Sequence, residues 1–152
     1  MIKEIVAFAG SYRLKNLKSC NGSDGLAWSA TLYKDGRKLG EVRDGGHGGP
    51  VEFNLSASDL NALTAYSVTK VDPSFEPEGS FVAALADYTE SIKRIKRMGS
   101  KSVVAIIEGD TDDYGVPQRV SQFRCAPTPA NLAAIKAKYP GYRLLADEIA
   151  LW

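Results

Sequence analysis

The dipeptide Asp35-Gly36, set between two alternating stretches, constrains this chain more than any other feature. Leu26 to Tyr33 reads LAWSATLY, which puts Trp28, Ala30 and Leu32 on one face of an extended strand. KLGEVRD follows the turn and returns Leu39 and Val42 toward the core. Asp-Gly favours a type I′ turn, because both of its central residues need positive φ. The stretch therefore predicts an antiparallel hairpin. SYRLKNLKSC, just upstream, alternates loosely and predicts a further strand before it.

Helical signals come later. Ser56 or Ser58 can cap a helix in SASDLNALTAYSVTKV, with Asp59 in its first turn and a stripe of Leu60, Leu63 and Val68. DPSFEPEG (72–79) has two prolines and no periodicity, so it reads as an exposed connection. Ser80 to Gly99 carries the longest helical pattern, through Phe81, Leu85, Tyr88, Ile92 and Ile95, with Gly99 as a left-handed stop. KSVVAIIEGD is a dense β-branched run suited to a central strand. TDDYG turns the chain, and VPQRVSQFRC returns antiparallel. Thr128 and Pro129 open a short helix that must stop before Pro140, and a short strand follows.

Strands grouped together, rather than alternating with helices, predict an α+β fold: a mainly antiparallel sheet with about three helices on one face. The 152 residues suit a single globular domain, with 72–79 the one place for a subdivision. A domain of this size buries roughly 68–70% of its unfolded surface and needs no staples.

Charge narrows the partners. Lys plus Arg number 19 and Asp plus Glu 18, a net charge of +1, which speaks against a nucleic-acid coater and against an acidic DNA mimic. No apolar run approaches a membrane span, and the opening MIKEIVAFAG is too short for a secretory core. A cytoplasmic protein is the expectation, with Cys20 and Cys125 reduced and buried as small apolar groups.

The most distinctive stretch is RDGGHGGPVEF. Gly45, Gly46, Gly48 and Gly49 surround His47, the only histidine, and Arg43 lies just before them. Glycines of both φ signs can gather N–H groups into an anion nest, which would take a phosphate or a nucleotide. The run matches neither a P-loop nor a dinucleotide fingerprint. A plain bend with His47 exposed explains it as well. His47 as a general base or metal ligand would need carboxylates from elsewhere, since the chain has no second histidine. No catalytic residue, metal site or cofactor is assigned on these grounds.

Two other charged segments have ordinary explanations. Asp110, Asp112 and Gly115 fall at positions 1, 3 and 6 of a calcium loop, but position 12 is Ser121, so they read as a hairpin tip. Lys93, Arg94, Lys96, Arg97 and Lys101 form a basic patch flanking Ile92 and Ile95, and cations suit a helix C-terminus.

WSATLYKDGRKLGEVRDGGHGGPVEF, with IKRIKRMGSKSVVAII, VSQFRC and LAAIKAKYP, resembles small uncharacterised accessory proteins of bacteriophages and prophages. The pattern covers most of the chain outside residues 54–80. The resemblance transfers no catalytic residue. It implies a viral or mobile-element origin and action by binding a host protein or complex, or by counter-defence. Three functions follow as expectations. The first is a non-enzymatic binder of a host protein. The second is a small-anion or nucleotide-signal binder using Gly45 to Gly49 with Arg43 and His47. The third is a metal-dependent hydrolase or nuclease using His47 and aspartates.

Overall fold

The computed structural model describes all 152 residues, Met1–Trp152. The fold is α+β, with five α-helices and two antiparallel sheets rather than three helices on one sheet. Two compact units are present. One comprises Met1–Phe8 with Ser91–Trp152, and the other Ala9–Glu90. The 72–79 connection lies inside the second of these.

In the Ala9–Glu90 unit, β1 (Tyr12–Asn21), β2 (Leu26–Lys34), β3 (Arg37–Asp44) and β4 (Glu52–Asn54) form a sheet in that order. Asp35 and Gly36 adopt φ of 49° and 78°, as the type I′ turn requires. Trp28, Ala30, Leu32 and Val42 are all buried on one face. Leu39 is half-buried. It falls where the β2–β3 register slips, between the Leu32–Gly40 and Tyr33–Lys38 pairs. A second irregularity interrupts β1 between Lys15 and Lys18, with Asn16 at φ 56°. Such a bulge, together with edge lysines, discourages pairing with foreign strands.

The helix α2 (Ala57–Ser67) starts where the serine signal places it: the Ser56 hydroxyl accepts from the Asp59 N–H at 3.1 Å. Leu63 is fully buried, whereas Val68 is 41% exposed and leaves the expected stripe, because the helix has already ended. Tyr12, Tyr66 and Phe81 join β1, α2 and the start of α3 (Pro77–Gly99), with ring centroids 5.2 to 5.8 Å apart. That helix begins three residues before Ser80. Pro77 supplies a preset φ and no N–H to satisfy, and the Glu76 carbonyl accepts from the Ser80 N–H.

The other unit holds α1 (Ile2–Ala9) up to Phe8, the last turns of α3, and a sheet ordered β6 (Pro117–Phe123), β5 (Val103–Thr111) and β7 (Arg143–Leu144). It also holds α4 (Pro129–Lys138) and α5 (Leu145–Glu148), the latter running into a single 3-10 turn, Ile149–Leu151. Thr128 caps α4 as expected. Val103, Ala105, Ile135 and Leu144 form a buried cluster, with Phe123, Cys125, Leu132, Tyr139 and Tyr142 packed around it. Gly99 is helical and does not take the left-handed stop. Its lack of a side chain serves packing instead, since a Cβ there would lie 2.9 Å from Leu145 Cδ2.

No helix is long and apolar enough to cross a membrane.

Candidate protein-binding site

The glycine run forms the bend between β3 and β4. Gly46 and Gly48 have φ of 65° and 71°. Gly46 is buried against β2, where a Cβ would meet the Ala27 nitrogen at 2.8 Å. Its carbonyl accepts from the Asp24 N–H at 2.9 Å, which ties the bend to the β1–β2 turn. Conformation and close approach together explain the glycine here.

The arrangement does not favour an anion. The Gly46 N–H donates to the Asp44 carboxylate at 2.8 Å, so this nest is filled by the protein's own acid. Asp24 Oδ2 is 3.1 Å from where a Gly48 Cβ would stand. A phosphate would therefore meet two carboxylates. Gly45 and Gly49 are exposed beside them.

His47 is exposed, and its Nδ1 lies 2.9 Å from the Ser23 hydroxyl. Arg43 and His47 have different partners. Arg43 pairs across the β3–β4 ladder with Glu52, Nη2 to Oε2 at 2.6 Å and Nε to the same oxygen at 2.9 Å. No three His, Cys, Asp or Glu side chains converge as metal donors.

The outer face of this sheet carries Lys18, Ser29, Thr31, Glu41, Arg43, Glu52 and Asn54 along a shallow concavity of about 670 Å³. Alternation explains it: these positions intervene between the buried Trp28, Ala30, Leu32 and Val42. The two charge signs are interspersed, as on a solvated face.

The basic patch occupies the last turns of α3 and the turn after it. Lys93, Arg94, Lys96, Arg97 and Lys101 are exposed, while Ile92 and Ile95 are each 1% exposed. In the β5–β6 hairpin, Asp112 organises the turn. Its Oδ1 accepts from the N–H groups of Tyr114 and Val116 at 3.0 and 2.9 Å. Asp110 pairs with Arg119 at 2.8 Å. Both carboxylates thus have roles in the hairpin.

Both cysteines are free thiols. Cys20 is exposed, against expectation, because it lies beyond the bulge on the outer end of the edge strand β1. Cys125 is half-buried beside the Val103 cluster.

The feature that sequence reasoning missed lies in the 72–79 connection. Phe75 is 74% exposed, more than any other large apolar side chain. The loop around it is tightly specified. The Asp72 carboxylate accepts from the Ser74 N–H at 2.9 Å, and hydrogen bonding from the Ser74 hydroxyl and N–H together holds its carboxyl below the usual range. Pro73 and Pro77 fix φ on either side, and Glu76 takes a left-handed φ of 38°. The Glu78 carboxylate accepts from the Thr64 hydroxyl at 3.2 Å, which fastens the loop's exit to α2. Two prolines around a phenylalanine were the available signal, but exposure is a tertiary property.

No protein-family model matches the chain, and neither does any curated protein or solved structure at a significant level.

Proposed function

We propose that this chain is a non-enzymatic accessory protein of the phage type, and that it works by binding a host protein or complex. The observation that carries the reading is Phe75, held out at 74% exposure on a preordered loop. Fully burying a side chain of this kind is worth about 1.5–3 kcal/mol, which is forgone in the free protein. Aromatic anchors of this sort supply much of the energy of protein interfaces, and a loop already ordered loses less entropy on docking. Asp72 and Glu76 flank Phe75 in sequence, so the complementary surface is an apolar socket with a basic rim. The small-anion reading has less support, because Asp44 occupies the Gly46 N–H.

The test is capture from host lysate at physiological salt, with wild type and Phe75→Ala compared by mass spectrometry. Specific proteins retained by wild type and lost with the folded variant are the expected result. No specific partner, or identical capture by both, overturns the reading.

A further inference from the structure

A cavity of about 300 Å³ opens in the unit that contains β5. Its walls are apolar: Val103, Val104, Pro127, Leu132, Leu145 and Ile149. This is the lower end of the range of small-molecule sites, roughly 300–1,000 Å³. The polar side chains in its lining are few. Lys96 lines it from α3, and Ser100 and Ser102 from the turn that follows, where the Ser100 hydroxyl already donates to the Arg97 carbonyl at 2.8 Å.

The Ser102 side chain is nearly buried, and its oxygen accepts from Gln122 Nε2 at 2.8 Å. Its own O–H remains a donor. Of the five cations in the basic patch, Lys96 is the one that lines the cavity. The α3 C-terminus adds only about half a negative charge nearby, less than the full charge of Lys96 in its last turn. Asp147, next to Ala146 of the lining, is already held by Lys136 at 2.9 Å. The lining therefore pairs one cation, Lys96, and one free hydroxyl donor, Ser102, with an apolar interior.

We propose that this cavity binds an amphiphilic monocarboxylate, with a short acyl or aryl body between Leu132 and Leu145 and its carboxylate at Lys96. The site is independent of Phe75 and of the protein-binding reading. An apolar body gains by leaving water. The carboxylate gains a charge-assisted bond that a neutral head group lacks. Both halves are needed, so acetate and a neutral alcohol should each bind less well than a fatty acid of matching length.

The experiment titrates sodium octanoate, sodium acetate and 1-octanol separately into the isotopically labelled full chain and follows amide shifts. Octanoate is expected to perturb Val103, Leu132, Leu145 and Ile149 saturably, with acetate leaving them unmoved. Lys96→Gln, at an exposed position, should weaken octanoate about tenfold and leave 1-octanol unchanged. Ala146→Phe, also exposed, should fill the cavity and abolish both. Absence of saturable octanoate shifts at these amides in the folded protein overturns the proposal. So does octanoate affinity that is unchanged in Lys96→Gln, or shifts that persist in Ala146→Phe.

Discussion

The Glu148 carboxylate accepts a hydrogen bond from the backbone N–H of Ile2 at 3.0 Å, across 146 positions of sequence. A second N–H, from Lys3, reaches the same oxygen at 3.4 Å. Glu148 thus serves as the missing cap of α1, which has no capping side chain of its own before Ile2. Its other oxygen accepts from Arg143, which also binds Glu4 at 2.9 and 3.0 Å and Glu108 at 3.2 Å. One small network therefore holds the first helix, β7 and α5 in the same unit.

Glu148→Gln should destabilise that unit. The amide keeps the shape but loses the charge that faces Arg143 and the N–H groups of Ile2 and Lys3. Arg143 retains Glu4, so the cost is about 1–3 kcal/mol rather than that of an abandoned buried charge. Urea unfolding followed at Tyr139 and Tyr142 checks it. A change below about 0.5 kcal/mol, the ordinary range for surface substitutions, would show that the network contributes nothing.

Acid should loosen the same network through Glu4. Burial pushes this carboxyl up, but hydrogen bonds from Arg143 and the N-terminal ammonium outweigh it and bring it from 4.5 to about 2. The folded value lies below the unfolded one. The contribution is therefore fully present above about pH 4.5 and is lost as pH falls toward 2. Stability measured across that window should fall more steeply for wild type than for Glu4→Gln. Parallel acid limbs would refute the assignment.

Local rules make much of this fold legible. Asp35-Gly36 specifies its turn from two residues, and Ser56 and Thr128 cap their helices from within four. The helix α1 is not legible, because its cap comes from Glu148 at the far end of the chain. Gly99 has the local marks of a helix stop, yet what requires a glycine there is a tertiary contact with Leu145. The candidate site divides in the same way. The glycine bend and the exposure of His47 follow from local conformation, whereas the Asp44 carboxylate in the nest and the projection of Phe75 depend on how the surrounding chain folds back.

Tyr12→Phe should stabilise the protein. The Tyr12 ring is 1% exposed and packs on Tyr66 and Phe81, yet its hydroxyl is buried without a hydrogen-bond partner. Removing that oxygen keeps the ring contacts and removes a desolvation penalty of about 1–3 kcal/mol, less whatever the small void costs. A gain of about 1 kcal/mol in chemical denaturation is the expected outcome. A loss of that size would mean the hydroxyl finds a partner in solution.

The glycine loop separates into positions that need glycine and positions that do not. Gly46→Ala forces a Cβ to within 2.8 Å of the Ala27 nitrogen at a φ of 65°, so backbone must move. It should cost about 1–3 kcal/mol. A methyl group on Gly49 would meet no atom within 4 Å, and the residue has no left-handed φ. Gly49→Ala should be neutral or stabilising by about 0.4–1 kcal/mol, through the lost freedom of the unfolded chain. Paired thermal melts distinguish the two. Equal destabilisation by both would mean that Gly49 also makes a contact. A large loss at Gly46 alone marks it as the hinge that joins β3 to β4, with His47 carried on its exposed side.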